Sequence, residues 1–68
     1  MQYKKTFVDN YLKPLVLGMR IGVKDVQYFH HENGEEVVVI TYVDGYKTER
    51  CVTADSLLAL SRDTLKGL

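Results

Sequence analysis

The chain has 68 residues, which leaves room for one domain, and we predict a single domain over residues 1–68. Nine basic and nine acidic side chains cancel, which argues against a strongly electrostatic partner and makes nucleic acid an unexpected one. The absence of a long apolar run, of the apolar core of a signal peptide and of a second cysteine predicts a cytoplasmic protein with no membrane partner and no internal disulfide.

Residues 3 to about 18 carry the pattern of an amphipathic helix. Apolar side chains recur every four residues in two adjacent rows: Tyr3, Phe7, Tyr11 and Leu15, and Val8, Leu12, Val16 and Met19. Pro14 conflicts with this pattern, because a proline inside a helix costs about 3 kcal/mol. Either the helix kinks there, or it stops and restarts with Pro14 in its first turn. Residues 15–23 also alternate as a strand would, but Gly18 and Gly22 favour a helix that ends at Gly18.

The strongest strand signal is Val37–Val43, which is dense in β-branched and aromatic side chains. Asn33-Gly34 precedes it and Asp44-Gly45 follows it, and both pairs are typical of two-residue type I′ hairpin turns. This arrangement predicts a three-stranded antiparallel meander with strands over residues 25–32, 37–43 and 46–53.

Two-residue turns would determine which side chains share a face of the sheet. They place Phe29 opposite Val38, and Val38 opposite Cys51. We therefore predict that Phe29, Val38, Ile40 and Cys51 face the helices. Both faces of the central strand are apolar, and helices from so short a chain can cover one of them. The other face is the predicted contact surface, made of Tyr28, Val37, Val39, Val43, Tyr46, Arg50 and Val52.

A second helix is predicted over residues 54–66. Thr53 or Asp55 would cap its start, Leu57, Leu58 and Leu65 would lie on its buried side, and Gly67 would end it. The predicted fold class is α+β: a helix, a three-stranded antiparallel meander and a helix (αβββα), with both helices packed on one sheet face.

Cys51 and the two histidines are the strongest hint of catalysis. In the predicted register His30 points away from Cys51, and His31 lies about 12 Å from it, beyond the hydrogen bond that an activated thiol needs. The adjacent histidines point to opposite faces, so they cannot easily share a metal ion, and His31 is expected to pair with Glu36. We predict no catalytic residue, no metal site and no cofactor, and hence no enzyme.

The order of elements and the chain length resemble those of double-stranded-RNA-binding domains. That family carries a basic cluster at the start of its second helix, whereas this chain has Thr53-Ala54-Asp55-Ser56 there. The resemblance is therefore one of topology only. It leaves, as an alternative function, a nucleic-acid accessory protein that uses the sheet and the lysines of the first helix.

The favoured hypothesis is a small non-enzymatic interaction module. A chain of this length buries only about 60% of the surface that its unfolded form exposes, so association with a partner is a common source of further burial. We expect a homodimer, or a complex with another protein, that forms through the exposed sheet face.

Overall fold

The computed structural model describes residues 3–66 and 68 of the protein. An N-terminal helix is followed by strands β1 (Val23–His30), β2 (Glu36–Tyr42) and β3 (Lys47–Cys51), and a C-terminal helix covers Leu57–Lys66. The strands form one antiparallel sheet in the order β1-β2-β3. The predicted α+β fold of helix, meander and helix is confirmed.

Pro14 lies in an unbroken helix because the turn before it is wider than an α-helical turn. The helix has three consecutive segments: α-helical Tyr3–Phe7, π-helical Val8–Leu12 and α-helical Lys13–Met19. The Lys13 N–H bonds the Val8 carbonyl five residues back, which is the π-helical spacing. Pro14 then falls in the first turn of the next α-helical segment, where its missing N–H costs little.

The π-helical stretch also explains which row of the helix is buried. Val8, Leu12 and Val16 are fully buried. Four residues turn an α-helix by about 400°, so a row with this spacing drifts by about 40° per step. The wider turn offsets part of that drift and keeps the row against the sheet. The neighbouring row is outside instead, with Tyr11 and Leu15 exposed.

Both hairpin loops contain three residues rather than the predicted two. In the first, the His31 N–H donates to the Glu35 carbonyl at 2.8 Å, and the Gly34 N–H donates to the His31 carbonyl at 3.0 Å. Gly34 has a φ of 90°. A type I turn that ends in a residue with positive φ is the usual three-residue hairpin loop. The Asn33 side chain supports the turn by accepting the Glu35 N–H at 2.9 Å.

The second hairpin repeats this geometry. The Tyr42 N–H donates to the Tyr46 carbonyl at 2.8 Å, and the Gly45 N–H donates to the Tyr42 carbonyl at 2.9 Å. Gly45 has a φ of 91°. Asp44 accepts the Tyr46 N–H at 2.9 Å, as Asn33 does in the first loop.

The extra loop residue makes the predicted register wrong by one position. Phe29 and Cys51 both pair with Val37, whereas the prediction had placed both of them opposite Val38. A one-residue slip moves a side chain to the other face of a sheet. Val38 and Ile40 face the helices as predicted, whereas Phe29 and Cys51 lie on the opposite face.

Both helices pack on one face of the sheet, as predicted. Together with the strands they form one buried cluster, made of Val8, Leu12, Val16, Val23, Val26, Tyr28, Val38, Ile40, Val52 and Leu60. The cluster draws on both helices, on β1 and β2 and on the residue after β3, so one layer of side chains joins all the elements.

The C-terminal helix begins later than predicted and has a different cap. Ser56 Oγ accepts the Ala59 N–H at 3.2 Å, directly before the helix starts at Leu57. Thr53 and Asp55 therefore do not cap it. The Thr53 hydroxyl instead accepts a backbone N–H from the sheet, at 2.9 Å.

The buried side of the C-terminal helix also differs from the prediction. Leu60 and Thr64 are fully buried, whereas Leu58 is 82% exposed. The inward row is therefore centred on Leu60 and Thr64, one helical turn apart. The predicted stop at Gly67 lies outside the described residues.

Candidate interaction surface

The sheet face opposite the two helices has an apolar centre. Val37 and Val39 of β2 lie there, and Val37 pairs with Phe29 of β1 and Cys51 of β3. We call Phe29, Val37, Val39 and Cys51 the open-face patch. Phe29 is 42% exposed and Cys51 is exposed, while Val37 is only 6% exposed although it lies outside the core cluster. Its cross-strand neighbours therefore shelter Val37, and Phe29 is the most prominent apolar group of the patch.

Polar side chains frame the open-face patch. Gln27 and Glu49 pair with Val39 from either side, and Lys47 pairs with Thr41 at the next row. All four polar residues of this frame lie on the same face as Val37, because side chains alternate along each strand. An apolar centre with a polar rim is the usual anatomy of a protein interface.

The seven residues predicted from the sequence to form the contact surface do not share one face. Val37 and Val39 lie on the open face, whereas Tyr28 and Val52 belong to the core cluster. Arg50 lies on the covered face, which is the face that the helices pack on, and Val43 and Tyr46 lie at the second hairpin. Because the observed register differs by one residue from the predicted one, Tyr28 and Val52 are buried rather than on the contact surface. For the same reason Phe29 and Cys51 are exposed, although the sequence analysis had predicted that they face the helices.

A separate exposed apolar group lies where the second hairpin meets the loop after the N-terminal helix. The Val43 N–H donates to the Gly22 carbonyl at 2.9 Å, which ties the two loops together. Ile21 in that loop is 98% exposed. Tyr46 packs its ring against Tyr42, with the ring centroids 6.1 Å apart. Val43 and Tyr46 thus belong to a surface distinct from the open-face patch.

A buried ion pair anchors the N-terminal helix to the covered face. Lys4 Nζ lies 2.8 Å from Glu36 Oε1, and the two side chains are only 8% and 13% exposed. The Tyr28 hydroxyl donates to Glu36 Oε2, and the Ala54 N–H donates to Oε1 at 3.0 Å. The hydrogen bond from Lys4, with that from Tyr28, lowers the pKa of Glu36 to about 2. Burial, with the same carboxylate beside it, raises the pKa of Tyr28 above its usual value.

The hydrogen bonds of this network hold elements of the fold together. Each oxygen of the Glu36 carboxylate accepts at least one hydrogen bond, and Lys4 neutralises its charge. Because the charged form is already fully bonded, the carboxylate is poorly suited to accept a proton from a substrate.

The sheet does not reproduce the predicted pairing of His31 with Glu36. The residue opposite Glu36 is His30. Cys51 Sγ lies 3.4 Å from Thr53 Oγ1, which is its described polar contact. Within residues 3–66 and 68, there is no group of three or more His, Cys, Asp or Glu side chains that could hold a metal ion.

A pocket of about 400 Å³ lies between β3 and the C-terminal helix. It is lined by Arg50, Cys51, Asp63 and Lys66. Asp63 offsets one of the two cationic side chains and also raises the pKa of the neighbouring Asp55 carboxyl. The pocket therefore offers mixed charges and no strong field for one kind of ion.

Comparison of the chain with protein-family models, with curated proteins and with solved structures gives no match. In the part of the chain that the structure describes, neither helix has the length and apolar character needed to cross a membrane. The functional argument therefore depends on the chain's own surfaces.

Proposed function

We propose that the protein is a small non-enzymatic module that self-associates, with the open-face patch of one copy packed against that of a second. One observation carries the proposal: the central strand is apolar on both faces, while both helices lie on the same side of it. Phe29 and Val39 therefore expose apolar surface on the side away from the core, and Val37 lies sheltered beside them. Apolar surface of this kind, rimmed by polar side chains, is typical of contact sites.

The size of the sheet predicts a weak and reversible dimer. Three strands about 4.8 Å apart present a face only about 15 Å wide. A stable protein interface usually buries about 800 Å² on each partner, which is more than a face of this width readily supplies. We therefore expect a dissociation constant in the micromolar range or weaker.

The free thiol supports a cytoplasmic location for this module. Cys51 is exposed and forms no disulfide. Exposed thiols persist in reducing compartments and are prone to oxidation elsewhere.

The geometry does not favour the alternative of a nucleic-acid accessory protein. Each lysine of the first helix forms an ion pair with a carboxylate: Lys4 with Glu36, Lys5 with Asp9 and Lys13 with Asp25, at 2.8, 2.7 and 2.9 Å. Their charges are therefore partly neutralised before any phosphate approaches.

Sedimentation velocity over a concentration series tests the proposal. From about 10 μM to about 1 mM, the weight-average mass should rise from that of the monomer towards that of the dimer. Val39→Asp should remain folded by circular dichroism yet stay monomeric, because it places a charge at the centre of the open-face patch. Leu58→Asp is the matched control, since Leu58 is an exposed aliphatic residue on the C-terminal helix, and it should associate like the wild type.

Two results would contradict the proposal. One is a wild-type protein that stays monomeric at about 1 mM. The other is equal loss of association in both variants, which would move the contact away from the sheet. If Val39→Asp does not fold, Phe29→Ser provides the same test. It changes the most exposed apolar group of the patch and should also yield a folded monomer.

A further inference from the structure

We propose that the protein binds membrane surfaces rich in anionic phospholipid, through the exposed apolar group where the second hairpin meets the loop after the N-terminal helix. We call Met19, Ile21, Val43 and Tyr46 the loop tip. This surface is distinct from the open-face patch, so the inference goes beyond the proposed self-association. The prediction of no membrane partner rested on the absence of a long apolar run, and contact with a membrane surface requires none.

Two neighbouring loops form the loop tip. The hydrogen bond from the Val43 N–H to the Gly22 carbonyl holds the second hairpin against the loop after the N-terminal helix. Ile21 is 98% exposed, and Met19, Val43 and Tyr46 are each more than half exposed. Met19 is the last residue of the helix, two positions before Ile21. Four apolar side chains are therefore exposed to water at the end of the sheet where β1 begins and β2 ends.

The same end of the molecule is cationic. Residues 19–25 and 42–47 contain three exposed basic side chains: Arg20, Lys24 and Lys47. Within the described residues, none of these three forms an ion pair. The two acids of these segments are Asp25 and Asp44. Lys13 neutralises Asp25 at 2.9 Å, so Asp44 alone offsets the three cations.

Charges are separated along the sheet although they cancel over the whole chain. The opposite end, residues 30–36 and 52–56, contains no lysine or arginine and four acids: Glu32, Glu35, Glu36 and Asp55. Of these, Glu36 is neutralised by Lys4. An anionic surface therefore attracts the end that carries the loop tip and repels the other end. Charge complementarity thus turns the exposed apolar side chains towards the lipid.

The shape of the loop tip favours a lipid surface over a protein partner. Its side chains project from two adjoining loops, and Ile21 contacts almost nothing around it. A protein partner would need a pocket for such a side chain, whereas fluid acyl chains rearrange around it. Tyrosine rings are enriched at the headgroup level of membranes, which suits Tyr46. The cytoplasmic leaflet also carries the anionic lipids, which agrees with the proposed location.

Sedimentation with sucrose-loaded vesicles tests the proposal on the full chain. Vesicles of phosphatidylcholine with about 30% phosphatidylserine are compared with vesicles of phosphatidylcholine alone. A single myristoyl chain binds membranes with about 10⁴ M⁻¹, and the loop tip is smaller, so we expect half of the protein to bind at about 1 mM anionic lipid. Binding to the neutral vesicles should be at least about tenfold weaker, and binding to the anionic ones should weaken as the salt concentration rises.

Two substitutions separate the apolar contribution from the electrostatic one. Ile21→Ser should weaken binding about tenfold, because it removes the most exposed aliphatic side chain of the loop tip. Leu58→Ser is its matched control, since Leu58 is 82% exposed on the C-terminal helix, and it should bind like the wild type. Lys47→Gln should weaken binding about fivefold. Its control is Lys66→Gln, because Lys66 lies beside Cys51 at the other end of β3.

The outcomes separate this inference from the proposed function. At about 1 μM protein the expected self-association is negligible, so Val39→Asp should bind vesicles like the wild type. Loss of binding in Val39→Asp equal to that in Ile21→Ser would move the contact to the open face and overturn the inference. So would equal binding to neutral vesicles, or equal effects of Ile21→Ser and Leu58→Ser. No binding to anionic vesicles at about 10 mM lipid would also overturn it, in favour of a protein partner for the loop tip, and would leave self-association standing.

Discussion

The Glu36 carboxylate connects three parts of the fold through hydrogen bonds. It accepts hydrogen bonds from Lys4, Tyr28 and the Ala54 backbone, and so joins the N-terminal helix, β1 and the segment after β3 at one point. Lys4 is 7% exposed and Glu36 is its described ion-pair partner. Loss of the carboxylate charge therefore leaves a buried ammonium without compensation.

Glu36→Gln should lower the free energy of unfolding by about 3 kcal/mol near neutral pH, because it breaks a largely buried ion pair from one side. Urea denaturation followed by circular dichroism measures this. Glu35→Gln, an exposed neighbour, is the matched control and should change stability by less than about 0.5 kcal/mol. Equal effects of the two substitutions would show that the network contributes little.

The same network predicts an acid-sensitive stability. The folded-state pKa of Glu36 is about 2, below its ordinary value of 4.5, so the folded state favours the ionised carboxylate. Its contribution is fully present above about pH 4.5 and is lost as the pH falls towards 2. Wild-type stability should therefore decline between these values more steeply than that of Glu36→Gln. Parallel pH profiles for the two proteins would contradict this explanation.

At the scale of elements, the two hairpin loops depend on backbone conformation rather than on packing. Gly34 and Gly45 have φ values of 90° and 91°, and a Cβ at either position would meet nothing within 4 Å. Gly34→Ala and Gly45→Ala should each cost about 1–2 kcal/mol, since only glycine adopts that region without strain. Gly22→Ala is the matched control, with equal space but no positive φ, and thermal denaturation should show it neutral or slightly stabilising.

The N-terminal helix accommodates its proline, and this too is testable. In a uniform α-helix, replacing an interior proline with alanine would recover about 3 kcal/mol. Here Pro14 lies in the first turn of an α-helical segment, so Pro14→Ala should change the free energy of unfolding by less than about 1 kcal/mol. Urea denaturation measures the difference. A gain near 3 kcal/mol would show that the π-helical turn is a distortion imposed by the proline.

At the scale of the whole molecule, association and stability should be linked. Binding of a second copy to the folded state alone raises the apparent melting temperature as the protein concentration rises. We expect an increase of a few degrees over a hundredfold range for the wild type and none for Val39→Asp, because about 1 kcal/mol shifts the melting temperature of so small a domain by 4–8 °C. Scanning calorimetry at several concentrations provides the measurement.

The register shows where prediction from the sequence fell short. Asn33-Gly34 and Asp44-Gly45 suit both two-residue and three-residue loops, since both types use a residue with positive φ. A discriminating signal was present: the two-residue loop puts Glu32 opposite Glu35, and like charges at that position are destabilising. The three-residue loop places Glu32 inside the turn and removes the conflict. One extra loop residue places Phe29 and Cys51 on the open face, where the prediction had placed Tyr28 and Val52.

The sequence alone was sufficient to predict the number, order and type of elements and the central strand, because periodicity and turn residues act over a few neighbouring positions. The shared side of the two helices followed from chain length, since helices from so short a chain can cover only one face of the sheet. Only the tertiary structure decided the register, the wider helical turn and the pairing of Lys4 with Glu36, which are 32 residues apart. These features depend on which segments meet in space, and packing of the core selects among local alternatives that are nearly equal in free energy.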